Sequence, residues 1–178
     1  MDAYFAELGL DSNIPFPNTN RASFGEKMCD LVMEFHPEIV SFHFGLPDKN
    51  LLSRVRATGA KIVSSATSVE EARWLEDEGC DAIVAQGYEA GGHRGMFLMQ
   101  DVSTQVGTMA LVPQLADAVK VPVVAAGGIA DARGIVAAFA LGASAVQIGT
   151  AYLLCPEAQI STIHRQALKD VKDNETGN

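Results

Sequence analysis

The chain has 178 residues and 18.9 kDa, with 48% hydrophobic and 20% charged residues and a mean hydropathy of +0.12, which is the balance of a globular chain with enough apolar surface to build a core. Thirteen basic against twenty-two acidic residues give a net charge of −9 and a pI near 4.8, a poor start for neutralising phosphodiester backbones, so nucleic acid is not an expected partner. No apolar run approaches the roughly 20 residues of a membrane span and the first residues, MDAYFAELGLDSN, lack the pattern of a signal peptide, so no membrane partner and a cytoplasmic location are expected.

Residues 1–20, with Pro15 and Pro17 and no sustained period, read as an irregular lead-in. A helix around Ser23 to His36 is predicted with Phe24, Met28, Leu31 and Phe35 on one stripe, ended by Pro37 and followed by a strand over Ile39 to Phe44. Pro47 suits the first turn of the next helix, whose inner face is Leu51, Leu52 and Val55 and whose end is Gly59. A strand over Lys61 to Ser65 leads to a capping box, Ser68 with Glu71, and a helix through Ala72 and Leu75 closed by Gly79. The strand Asp81 to Ala85 precedes a long glycine-rich connection. A helix between about Thr108 and Val119 carries Leu111, Leu115 and Val119, with Pro113 obscuring its start. The strand Val121 to Ala126, a helix capped by Asp131 and running through Ile135, Ala138 and Phe139 to Gly142, and the strand Ser144 to Ile148 complete the pattern. The last residues, 171–178, read as a polar tail.

Glycine followed by a small residue recurs just before a strand at Gly59-Ala60, Gly79-Cys80 and Gly142-Ala143, the grammar of a βα repeat. Apolar strands alternating with amphipathic helices predict an α/β fold with a parallel sheet. Two architectures remain, an open doubly wound sheet or a (βα)8 barrel. A complete barrel takes roughly 250 residues, so this chain is about 70 short of one.

Chemistry-bearing residues gather where these strands end: His43, Ser64 and Ser65, Gln86, the pair Gly127-Gly128, and Gln147 with Gly149 and Thr150. In parallel α/β folds that edge binds ligands. Gly127-Gly128 and Gly149-Thr150 leave backbone N–H groups bare enough to hold a phosphate without Lys or Arg. Either pair alone is explained by a tight turn, whereas two on successive strands point to a phosphate site. The segment Ala85 to Gly95, AQGYEAGGHRG, places His93 on a glycine-flanked loop where a planar ligand could approach Gly91 and Gly92. A histidine there can exchange a proton or hold an anion, although a solvated loop histidine is the plainer reading. Glu89 and Arg94 read as a solvated pair, His43 as a residue of the strand interior or the site, and His36 and His164 as histidines without visible partners. Three widely spaced cysteines, Cys29, Cys80 and Cys155, with no CxxC, support neither disulfides nor a metal site and read as small buried side chains. Nucleophile-elbow, Walker, GxGxxG and HExxH motifs are absent.

Four segments in order, SFHFGLP (Ser41 to Pro47), QGYEAGGHRG (Gln86 to Gly95), VVAAGGIADARG (Val123 to Gly134) and GASAVQIGTAYL (Gly142 to Leu153), resemble the nitronate monooxygenase family over residues 22–170. The resemblance implies an FMN-dependent (βα)8 barrel that oxidises alkyl nitronates with molecular oxygen to a carbonyl compound and nitrite. It implies a partial FMN-binding barrel domain over residues 21–170 that lacks the family's N-terminal strands, since nothing before Arg21 matches them and the family's Ser-Gly-Arg-Pro stretch has no counterpart. Under it, Gln86, Gly91 and Gly92 contact the flavin, Gly127 and Gly128 with Gly149 and Thr150 hold its phosphate, and Gln147 lines the same side. His93 matches the catalytic histidine and His43 a second one that could meet substrate. The alternatives are the related FMN-dependent enoyl-ACP reductase, which shares a GGH loop, and a non-catalytic flavin- or phosphate-binding half-barrel. In any of these, open sheet edges predict a homo-oligomer that covers them.

Overall fold

The computed structural model describes residues 23–99 and 101–171, together with Glu7 and Gly9. The predicted lead-in and polar tail therefore lie outside the described residues, apart from Glu7, Gly9 and Val171. Helices and strands alternate in the order α1 (Glu26–Phe35), β1 (Ile39–Phe42), α2 (Lys49–Ala57), β2 (Lys61–Ala66), α3 (Val69–Asp77), β3 (Ala82–Gln86), α4 (Thr108–Ala118), β4 (Val123–Ala126), α5 (Ala132–Ala140), β5 (Ala145–Gln147) and α6 (Thr162–Asp170). Short 3-10 turns occupy Val102–Thr104 and Thr150–Leu154.

All five strands are parallel and stand side by side in chain order, with Ser41 opposite Val63, Ser65 opposite Val84, and Gln86, Ala126 and Gln147 in one row. Crossovers between parallel strands are right-handed, so an order that never reverses keeps every connecting helix on one face. A doubly wound sheet needs a reversal. The burial pattern agrees: Val40, Phe42, Ile62, Ile83, Ala85, Val123 and Ala125 are buried in the core, while Ser41, His43 and Gln147 on the opposite face are exposed. The sheet is thus a five-stranded sector of a (βα) barrel. Its core is completed by Leu51, Leu52 and Val55 of α2, Leu75 of α3 and Leu111, Val112 and Leu115 of α4. Each of these side chains contributes about 1.5–3 kcal/mol by leaving water.

The helix ends follow the predicted grammar, with Gly59, Gly79 and Gly142 at φ of 85°, 81° and 99°, where a Cβ would be strained. Asp131 caps α5 by accepting from the N–H groups of Arg133 and Gly134. Pro113 lies inside α4, at the cost of one ladder bond. Other expectations need correction. Pro47 precedes α2 instead of starting it, because Asp48 takes the cap position and accepts from the N–H of Asn50. β1 stops at Phe42, since Phe44 and Gly45 turn into the left-handed region at φ of 65° and 84°. In α1 the buried residue is Cys29, with Phe24 and Val32 packed against the core, while Met28, Leu31 and Phe35 of the predicted stripe face outward. Arg54 of α2 ties down Glu26 and Asp30 of α1, an exposed arrangement worth little. The outer strands are β1 and β5. Exposed apolar side chains lie beside both, Phe35 and Ile39 near the first and Val136 and Phe139 near the second. Among the described residues no helix is long and apolar enough to cross a membrane.

Asp81, just before β3, joins two strands by accepting from Lys61 Nζ at 2.7 Å and from the Ile62 N–H at 2.8 Å. The Lys61 side chain, then the Ile62 amide, hold its carboxyl below the usual carboxylate range. A lowered folded-state pKa adds stability above that range, and the gain is lost as pH falls through it. Asp81→Asn is therefore expected to be less stable than wild type at neutral pH, with a difference in urea-unfolding free energy that shrinks below about pH 4. A difference independent of pH would show that the charge plays no part.

Candidate active site

The helix-free face of the sheet forms the floor of an open cavity of about 1000 Å³ at the C-terminal ends of the strands. Its walls include Gln86, Gly91, Gly92, Gly127, Gly128, Gln147, Gly149, Thr150 and His43, so the folding of β1, β3, β4 and β5 brings nearly every predicted site residue to one place. His93 is the exception. Its ring is exposed and stands edge-on to Phe44 at 6.1 Å between centroids, beside the cavity and not among its lining residues.

The backbone of the His93 loop is clamped. Gln86 Nε2 donates to the His93 carbonyl at 2.8 Å and Gln86 Oε1 accepts from the Gly95 N–H at 2.6 Å, so both ends of this amide are spent on the loop. His43 Nε2 lies 3.1 Å from the same carbonyl, which can only accept, so Nε2 donates to it, and Nδ1 shares a hydrogen bond with Ser65 Oγ at 3.0 Å. A Cβ on Gly95 would lie 2.7 Å from the His43 ring, which explains a glycine at that position.

A second clamp follows at once. Glu71 is fully buried, with Oε2 accepting from the Thr67 N–H and hydroxyl at 2.7 and 2.8 Å, and Oε1 from the N–H groups of Phe97 and Leu98 at 2.8 and 3.2 Å. The predicted capping box is thus half formed. Ser68 Oγ does accept from the Glu71 N–H, but the Glu71 carboxylate reaches past Ser68 to bridge the β2–α3 turn and the segment behind His93. The Trp74 and Phe97 rings pack at a tilt of 59°, with centroids 5.1 Å apart, beside this bridge. Glu89 and Arg94 do not pair with each other. Glu89 Oε2 caps α4 by accepting from the Thr108 N–H and hydroxyl at 2.7 and 2.9 Å, and Arg94 donates to the Tyr88 carbonyl with its guanidinium 4.2 Å over the Tyr88 ring.

The far wall is bare backbone. Gly127, at φ of 122°, has room for no side chain, because a Cβ would lie 2.5 Å from Thr108 Oγ1 and 3.0 Å from the Ala90 nitrogen. At Gly149, by contrast, a Cβ would meet nothing within 4 Å and would project into open space. The N–H groups of Gly128, Gly149, Thr150 and Ala151 donate to no acceptor among the described residues, although all four residues line the cavity. Open amides, small residues and a cavity of this size suit a flat ligand that ends in an anion, and FMN fits that description. No Lys or Arg occurs among the described lining residues. His164 and Leu168 of α6 complete the wall. Periodicity indicates that these two share a helix face but not what that face meets. Of the cysteines, Cys29 and Cys80 are buried as predicted and Cys155 partly so. Burial pushes the Cys80 thiol up to about 11, which makes it an inert core residue.

The family model for nitronate monooxygenase matches residues 9–177, almost the whole chain. The chain belongs to the nitronate monooxygenase family. A nitronate monooxygenase of Pseudomonas aeruginosa is 46% identical over 166 residues, 93% of this chain and 47% of the relative, and a probable nitronate monooxygenase of Bacillus subtilis is 44% identical over 83% of this chain and 42% of the relative. Among solved structures, a nitroalkane oxidase from Streptomyces ansochromogenes superposes with a TM-score of 0.75 at 40% identity, covering 80% of this chain and 42% of the other. FabK from Thermotoga maritima gives 0.69 at 34% identity over 82% and 43%. This nitronate monooxygenase family member thus spans less than half the length of each of these relatives.

Proposed function

We propose that the cavity binds FMN and that the chain serves the oxidation of alkyl nitronates by molecular oxygen to a carbonyl compound and nitrite. The observation that carries this reading is that the open amides at the ends of β4 and β5 line one cavity together with Gly91 and Gly92 of the clamped loop before His93, in a chain of this family. FMN supplies the redox capacity that side chains lack. The amides of Gly128, Gly149 and Thr150 hold its phosphate, Gly91 and Gly92 let its ring approach the backbone, and Gln147 lines the same side. Gln86 and His43 fix the His93 backbone, so the His93 imidazole reaches the ligand by rotation of its own side chain. There it holds the nitronate anion or takes a proton from the neutral nitro compound. The higher identity to nitronate monooxygenases than to FabK favours nitronate as substrate. Oxidation of NAD(P)H in the presence of an enoyl thioester would instead select the enoyl-ACP reductase alternative.

The test is His93→Asn, measured by FMN retention and nitronate-dependent oxygen uptake. The variant is expected to keep its flavin and lose at least about 100-fold in turnover, the usual contribution of a positioned acid or base. Unchanged turnover would overturn the role of His93.

A further inference from the structure

We propose that His164 is the side chain that meets the phosphate of the bound nucleotide, an assignment that rests on the FMN reading above. A phosphate monoester brings close to two negative charges at neutral pH, into a chain with a net charge of −9 and a cavity whose described lining holds Glu89 but no Lys or Arg. Backbone amides supply partial positive charge alone. The two histidines of the lining are the remaining sources of a cationic donor, and His43 is occupied, with one ring nitrogen on Ser65 and the other on the His93 carbonyl. His164 is exposed, and its ring has no hydrogen-bond partner among the described residues.

The local structure holds His164 in place. Ser161 caps α6 by accepting from the His164 N–H at 3.1 Å. The next residue, Arg165, donates to the carbonyls of Leu154, Cys155 and Ala158 at 2.9, 3.1 and 2.8 Å. These carbonyls lie at and just beyond the end of the 3-10 turn that begins at Thr150, so Arg165 fastens α6 to the segment that carries the open amides of Gly149, Thr150 and Ala151. The cavity-facing side of α6 then presents His164 and, one turn on, Leu168. A polar ring on the wall of a cavity that also carries these open amides, with an apolar side chain one turn on, suits an anionic head group. A hydrogen bond to an ionised acceptor is stronger than a neutral one.

FMN and riboflavin separate this role from any other, because they differ by the phosphate alone. Wild type and His164→Asn are titrated with each at one fixed ionic strength, following flavin fluorescence. Wild type is expected to prefer FMN, and the variant to lose about 10- to 100-fold in FMN affinity with riboflavin affinity unchanged. FMN affinity equal to wild type in the variant would overturn the assignment while leaving the FMN reading intact. An equal loss for both ligands would overturn it too, by placing His164 on the ring or ribityl chain. Wild type that binds neither flavin would remove the FMN reading and this assignment together.

Discussion

Glu71→Ala is expected to lower the unfolding free energy by about 3–5 kcal/mol, a large share of the 5–15 kcal/mol of a typical domain. The substitution strips acceptors from the buried N–H and hydroxyl of Thr67 and from the part-buried N–H groups of Phe97 and Leu98. Each buried donor left unpaired costs roughly 1–3 kcal/mol, and the cavity adds to that. Glu71→Gln is the informative companion. Its oxygen can still accept from Phe97 and Leu98, and its amide can donate to the Thr67 hydroxyl, which leaves the Thr67 N–H alone unpaired, so about 1–2 kcal/mol is expected. Urea unfolding of both variants measures these losses. Hydrogen exchange should rise most at residues 93–98 in the alanine variant, because the second of the two clamps behind the His93 loop is gone. A loss under about 1 kcal/mol in Glu71→Ala would mean that the bridge carries no weight.

Gly149→Leu is expected to abolish flavin uptake without unfolding the protein. A Cβ at this position meets nothing within 4 Å and the backbone φ is negative, so the fold accommodates a side chain in open space at a residue that lines the cavity beside the open amides. FMN affinity should fall by more than about 100-fold, since a buried steric clash or the loss of a charge-assisted contact each costs several kcal/mol. The melting temperature should stay within a few degrees of wild type. Gly127→Ala makes the contrast: its Cβ would lie 2.5 Å from Thr108 Oγ1 at a φ of 122°, so flavin and stability should be lost together. FMN bound by Gly149→Leu as by wild type would place the phosphate elsewhere.

What the sequence revealed was whatever depends on neighbours along the chain. The glycine stops at Gly59, Gly79 and Gly142, the Asp131 cap, the inner face of α2 and the gathering of polar and glycine residues at the strand ends all follow from local rules, and the structure agrees. The misreadings share one physical cause. Glu71 resembled one half of a capping box because Ser68 lies three residues before it, yet its carboxylate answers to Phe97 and Leu98, 26 and 27 residues away. Proximity along the chain pairs Glu89 with Arg94, whereas its partner is Thr108 across the loop. Helix α1 is apolar on more than one side and lies at an outer strand, so helical spacing alone could not say that Cys29 and Val32 pack inward while Met28, Leu31 and Phe35 do not. His164 had no signature beyond its place on an amphipathic helix, and it took the anchoring of α6 by Arg165 to put it on the cavity wall.

The most direct test of the central claim is the visible absorption spectrum of the purified chain with and without added FMN, followed in the same sample by oxygen uptake on adding propane-2-nitronate. The account predicts a protein-bound flavin spectrum and oxygen consumption that depends on the nitronate. No retained flavin and no uptake would contradict it, and flavin binding without uptake would leave the cavity as a binding site and remove the catalytic role proposed for His93.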